Sequence, residues 1–287
     1  MAKVVLGDVT LNYVEAGDGP PVVLVHGMAC GWRMWRSQIR ALGPRYRTIA
    51  YDQRGHGQSS APVDDDETRY SLEILADDLA QLICRLSLAP ALVVGLSLGG
   101  AVALELAIRH PGLAMSLVVA DAGSGSDDPA AARRLAEDWA AATEAEGIDG
   151  FVALMLASPF FAGYLQRGGR RARRQLELLV RRHPARAMAH LMRQALGRRR
   201  PVYERGPELS RLNLPTLVIC GERDRVCRKP ADFLAKTIPG AELVILPKLG
   251  HMTNLEAPQL FNATILDFLG RAGAMPAGTI QSTAVNQ

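Results

Sequence analysis

Short apolar runs alternate with helix-patterned stretches over the first 121 residues of the chain. Residues 4–6 and 11–15 read as two strands joined by a Gly-Asp turn. After the breaker Gly17-Asp18-Gly19-Pro20-Pro21 comes Val22-Val23-Leu24-Val25, whose lack of polar alternation predicts a strand buried on both faces. A helix over 35–42 leads to a strand over 47–51. A helix over 72–86, apolar at helical spacing, leads to the strand Ala91-Leu92-Val93-Val94, and a further strand spans 116–121. This alternation predicts an α/β fold, a mostly parallel sheet with helices on both faces.

The rhythm then changes. Between 127 and 205 only helical patterns occur, at 129–146, 151–157, 170–182 and 184–197. Strand–helix alternation resumes with a strand at 214–220, a helix at 230–237, a strand at 241–246 and a helix at 258–269. The expected organisation is therefore a core formed by 1–124 and 207–270 and a helical cap formed by 125–206. The cap would lie over the carboxyl edge of the sheet, where open α/β sheets bind ligands. Residues 271–287, rich in Ala, Gly, Ser, Thr and Gln, read as a disordered tail. No internal repeat is visible.

Composition narrows the class. Of 287 residues, 48% are hydrophobic, which suffices for a core and excludes a disordered chain. The longest apolar runs have strand length, and Asp8 interrupts the amino terminus before a signal-like segment develops. A cytoplasmic protein with no membrane partner is expected. Cys30, Cys84, Cys220 and Cys227 are scattered and form no C-x-x-C, so reduced thiols and no metal are expected. The net charge of +4 has one source: residues 125–206 hold fifteen Arg, no Lys and nine acids, leaving −2 for the rest. The runs Arg170-Arg171, Arg173-Arg174, Arg181-Arg182 and Arg198-Arg199-Arg200 read as a solvated helix face, and no nucleic-acid motif accompanies them.

Gly95-Leu96-Ser97-Leu98-Gly99 sits between a strand and a helix-forming run. A serine on such a sharp turn is held in a strained conformation with its hydroxyl exposed, and small neighbours keep the backbone from colliding. A serine nucleophile needs a base, an acid to orient it, and oxyanion donors. His251 follows one predicted strand and Asp224 follows the strand before it, so both belong at the carboxyl edge with Ser97. The backbone amides of Leu98 and Met28 are the expected oxyanion donors, Met28 from the His26-Gly27-Met28 turn. Asp121, also at a strand's carboxyl end, is the rival acid.

His26 and His56 read as structural hydrogen-bonding groups, Asp52 and Arg54 as a pair or as braces of a Gly-rich loop, and His110 as a helix-end cap. His183 and His190 are expected on an exposed helix face. Trp32 and Trp35 flank the oxyanion turn. Trp32, Phe151, Met155, Phe160 and Phe161 are the expected walls of a mainly hydrophobic pocket.

Together, His26-Gly27, Asp52-Gln53-Arg54-Gly55-His56-Gly57-Gln58-Ser59, the elbow at 95–99, Gly221-Glu222-Arg223-Asp224 and Gly250-His251 resemble the α/β-hydrolase superfamily over residues 10–270. The stretch from Ile238 to Pro258 most resembles 3-oxoadipate enol-lactonases and small carboxylesterases. The resemblance implies a cofactor-free serine hydrolase that cleaves a small ester, lactone or enol-lactone through an acyl-enzyme. The same triad supports carbon–carbon bond hydrolysis and perhydrolysis, and non-catalytic ligand-binding modules share the fold. Serine at 97, rather than aspartate, argues against dehalogenase or epoxide-hydrolase chemistry.

Overall fold

The computed structural model describes residues 1–62 and 66–273. Its strands are β1 (Ala2–Leu6), β2 (Val9–Ala16), β3 (Pro21–Val25), β4 (Arg47–Tyr51), β5 (Ala91–Leu96), β6 (Ala114–Ala120), β7 (Thr216–Gly221) and β8 (Glu242–Leu246). They form one sheet in the order β1-β2-β4-β3-β5-β6-β7-β8. β1 pairs antiparallel with β2, as does β2 with β4, and every other pairing is parallel. Leu24 on β3, Val93 on β5 and Val118 on β6 are wholly buried, as a sheet covered on both faces requires. Each such side chain contributes roughly 1.5–3 kcal/mol relative to an exposed one.

The helices of the α/β part are α1 (Arg36–Leu42), α2 (Leu72–Arg85) and α3 (Leu98–Arg109). Ser71 caps α2, its Oγ accepting from Ile74 N at 3.4 Å. His110, at the end of α3, lies 2.6 Å from Asp77 on α2 and ties the two helices together. Between β6 and β7 the regular elements are all helical: α4 (Pro129–Ala157), α5 (Pro159–Val180), α6 (Ala185–Leu191) and α7 (Gly206–Leu209), with a π-helical turn over Met192–Gly197. After β7 come α8 (Arg228–Thr237), α9 (Thr253–Glu256) and α10 (Pro258–Gly273).

The insertion differs from expectation in its detail. The helices expected at 129–146 and 151–157 are one element broken at Gly147, where φ is 67°. The expected helix at 170–182 belongs to an element that starts at Pro159 and breaks at Gly169. Its first half was not anticipated, although Ser158-Pro159 is a start signal: Ser158 Oγ accepts from Phe160 N at 3.2 Å, and proline occupies the first turn. The final helix runs to Gly273, beyond the expected start of the tail; residues 274–287 of that tail lie outside the described residues. Among the described residues no single helix is long and apolar enough to cross a membrane.

Candidate active site

The parallel registers Val25↔Gly95, Leu96↔Ala120, Ala120↔Ile219 and Gly221↔Leu246 bring the loops after β3, β5, β6, β7 and β8 to one edge of the sheet. The chain steps from β3 to β4 on one side and then crosses to β5 on the other, so β3 and β5 flank the topological switch point. The elbow follows β5 and the His26–Met28 turn follows β3.

Ser97 has φ 56° and ψ −116°, a conformation that costs an ordinary residue of order 1–3 kcal/mol. Ser97 N donates to Ala120 O at 2.8 Å, and Ala101 N donates to Ser97 O at 3.1 Å to open α3. A Cβ on Gly95 would lie 2.1 Å from Gly99 O, and one on Gly99 would lie 2.0 Å from Val25 O. Neither position tolerates a side chain. Leu98 begins α3, so its N–H is one of the first-turn donors without a partner inside the helix. The His26–Met28 turn lies against the elbow: a Cβ on Gly27 would stand 3.4 Å from Ser97 Cβ.

That turn is held by buried imidazoles. His26 Nε2 accepts from Gln53 N at 3.0 Å, while Gln53 Nε2 donates to His26 O at 2.7 Å. His56 Nε2 accepts from Ala29 N at 3.3 Å. His183, between α5 and α6, accepts at Nδ1 from Gly57 N at 2.9 Å. The rings stack edge-on, with centroids 4.7 Å apart for His26 and His56 and 5.0 Å for His56 and His183. Burial, with His26 and His183 nearby, holds His56 well below the usual imidazole range, and burial pushes His183 down to about 4. His183 and His190 are thus buried, contrary to the exposed helix face expected for them. Asp52 and Arg54 do brace the loop, though through other partners: Asp52 accepts from Asn12, Trp32 N and Gln58 N, and Arg54 forks onto Asp78 at 2.6 and 2.8 Å.

Asp224 lies in the loop after β7, where its N–H donates to Gly221 O at 3.0 Å. Its Oδ2 stands 2.7 Å from His251 Nδ1, and both residues are buried. Burial opposes the imidazolium, but the Asp224 charge and hydrogen bond, with Asp121 and Glu256, outweigh it and hold His251 above its ordinary value. Glu256 was not singled out from the sequence. Its carboxylate accepts from Gly250 N at 2.9 Å and Met252 N at 3.2 Å, clasping the backbone on either side of His251.

Asp121, the rival acid, is also buried, but its oxygens face elsewhere. Oδ1 accepts from Gly221 N at 2.9 Å and Oδ2 from Thr253 Oγ1 at 2.5 Å. Burial and the nearby Asp224 charge push it up to about 8. It joins the β7 loop to α9, while Asp224 occupies the imidazole edge.

Among the described residues, two clusters bring their donor atoms within 4.8 Å of one another: Asp224, Cys227 and His251, and Asp121, Cys220 and Asp224. The Asp224–His251 hydrogen bond occupies the facing atoms of the first. Burial and the adjacent carboxylates push both thiols up, which disfavours thiolate ligands. The donor chemistry suits a hydrogen-bonded network better than a metal.

A cavity of about 430 Å³ opens against Asp224 and His251. Phe160 is the one expected pocket residue on its wall, with its ring centroid 4.7 Å from that of His251. Phe151, Met155 and Phe161 are instead buried in the apolar core, and half-buried Trp32 carries the Arg33 guanidinium 4.6 Å from its ring centroid. Charged side chains stand beside Phe160, Pro159 and Val226 on its wall. Exposed Arg167, Arg223, Arg225 and Lys248 line it, and three of these come from the β7 and β8 loops rather than from the insertion's arginine runs.

The family model for the alpha/beta hydrolase fold matches residues 20–258. The chain belongs to the α/β-hydrolase fold family. Over 263 residues it is 30% identical to a putative carbamate hydrolase, RutD, of Caulobacter sp. strain K31, covering 90% of this chain and 94% of that one. It is 29% identical to 3-oxoadipate enol-lactonase 2 of Acinetobacter baylyi, over 90% of this chain and 92% of the relative. The crystal structure of a hydrolase from Pseudomonas aeruginosa PA01 superposes with a TM-score of 0.82 at 30% identity, covering 94% of this chain and 98% of that one. As an α/β-hydrolase the protein is an enzyme of the hydrolase class.

Proposed function

We propose that this hydrolase cleaves a small ester, lactone or carbamate with Ser97 as nucleophile, His251 as base and Asp224 as its orienting acid. The 2.7 Å contact between Asp224 Oδ2 and His251 Nδ1, at the edge where Ser97 is strained into an elbow, carries the reading. With Nδ1 donating to Asp224, Nε2 is left free to take the Ser97 proton as Oγ attacks the carbonyl. The tetrahedral oxyanion is received by the amides of Met28 and Leu98. The imidazolium then returns its proton to the leaving oxygen or nitrogen, the carbonyl re-forms, and an acyl-Ser97 intermediate remains. Water, deprotonated by His251, releases the acid and restores the serine. The fold division anticipated from the sequence, a core of 1–124 and 207–270 beneath a cap of 125–206, suits this chemistry by covering the switch-point edge.

The relatives that resemble this chain carry carbamate and enol-lactone activities in their names, which supports a small acyl substrate. The test is a panel of p-nitrophenyl esters, lactones and carbamates assayed against wild type and Ser97→Ala. Turnover of at least one class, lowered on the order of 10⁴-fold in the variant, is expected. Turnover unchanged by Ser97→Ala refutes the serine mechanism.

A further inference from the structure

We propose that the chain carries a second ligand site, for a small carboxylate or phosphate, at the root of the helical insertion and centred on Arg199. The side chain of Arg199 reaches back from the turn after α6 to the loop after β6, where Nη2 donates to Ser124 O and, at 3.0 Å, to Ser124 Oγ. Among the described residues no carboxylate pairs with it. The neighbouring charges are already matched: Arg205 pairs with the buried Glu105 at 2.6 Å, and Arg200 pairs with Glu208 at 2.7 Å. A half-buried guanidinium without a counter-charge is costly, and burial accordingly pushes Arg199 below its usual value.

A cavity of about 190 Å³ opens beside this group. Its wall includes Ser124, Ser126, Arg133, Arg198 and Arg199, and Glu204 is the acid on it. Arg198 spends one N–H on Gln194 Oε1 at 3.3 Å, and neither it nor exposed Arg133 has a carboxylate partner among the described residues. The cavity shares no lining residue with the one at His251. A smaller slot of about 40 Å³, bounded by Leu104, Ile108 and Leu209, meets it at Ser126, Arg199 and Arg200. An oxyanion fits the planar forks of the arginines, and a short aliphatic group fits the slot. The middle arginine of the run Arg198-Arg199-Arg200 therefore points inward, while its neighbours face solvent or the cavity mouth.

The experiment titrates inorganic phosphate and, separately, butyrate into the full-length protein at constant ionic strength, read by calorimetry and by thermal shift. Saturable one-to-one binding of either anion is expected, raising Tm as ligand linkage requires. Phosphate alone, butyrate alone or both then identify the natural anion chemistry. Arg199→Met is expected to weaken binding about tenfold or more, and Arg133→Ala severalfold. Should Arg199→Met fail to fold, the exposed Arg133→Ala decides. Arg225→Ala, at the His251 cavity, is expected to leave binding unchanged. A Tm rise no larger than chloride produces, unaltered binding in Arg133→Ala, or loss of binding in Arg225→Ala overturns the proposal.

Discussion

The Asp224 carboxylate meets His251 Nδ1 at 2.7 Å, while the equally buried Asp121 carboxylate is turned to Gly221 N and Thr253 Oγ1. Two acids approach one imidazole, and only one holds its edge. Asp224→Asn is therefore expected to disturb the histidine tautomer and lower kcat by orders of magnitude. Asp121→Asn, which keeps an acceptor for Gly221 N, is expected to cost about tenfold or less. Steady-state kinetics of both variants check this, and exchanged effects would assign the acid to Asp121.

The same geometry sets a pH dependence. His251 accepts a proton only when neutral, and its carboxylate neighbours hold its value above 6.5. In the proposed mechanism kcat/KM rises with pH, reaches half its plateau above pH 6.5 and then levels. Asp121, pushed up to about 8, is largely protonated at that midpoint, so Asp121→Asn should leave the midpoint close to its wild-type position. A midpoint that falls clearly in that variant would show that an ionised Asp121 acts on the base.

His183 gives a stability prediction of opposite sense. Its folded-state value of about 4 lies below the 6.5 of an unfolded chain, so the unfolded state binds the proton more readily. The contribution is fully present above pH 6.5 and is lost as pH falls from there toward 4, up to roughly 3 kcal/mol. Denaturant titrations at pH 7.5 and pH 5 should differ less for His183→Asn, which retains an acceptor for Gly57 N and cannot titrate. An equal loss in wild type and variant would assign the acid sensitivity to other groups.

The basic rim of the His251 cavity bears on substrate choice. Arg223, Arg225 and Lys248 are exposed there and lack a carboxylate partner among the described residues, whereas Arg167 faces Glu256 at 3.4 Å. A carboxylated ester is expected to exceed its neutral analogue in kcat/KM severalfold at low salt, with the advantage shrinking as the Debye length falls below about 8 Å. Equal rates at every ionic strength would leave these side chains as solubilising charge only.

Much of this was legible in the chain because it is local. The all-apolar run at 22–25 and the elbow at 95–99 carry their structure in adjacent residues, and strand ends place Asp224 and His251 at one edge whatever the rest of the fold does. The failures are non-local. His183 packs on Gly57, 126 positions away, and no helical periodicity reports which side of an α5–α6 junction faces the core. The first half of α5 was missed because Gly163, Gly168 and Gly169 weaken its pattern, and with it the contact of Phe160 on His251. Phe151, Met155 and Phe161 were expected as pocket wall, and apolar identity alone does not reveal the core cluster in which they are buried. Glu256 was invisible because its role lies in two backbone amides rather than in a motif.

Covalent labelling tests the central claim most directly. The protein is incubated with a serine-directed organophosphonate, and its intact mass is measured for wild type and Ser97→Ala. A single adduct on wild type, located at Ser97 by peptide mapping and absent from Ser97→Ala, is the expected result. No adduct on active wild-type enzyme, or an adduct that persists in Ser97→Ala, would contradict Ser97 as the nucleophile.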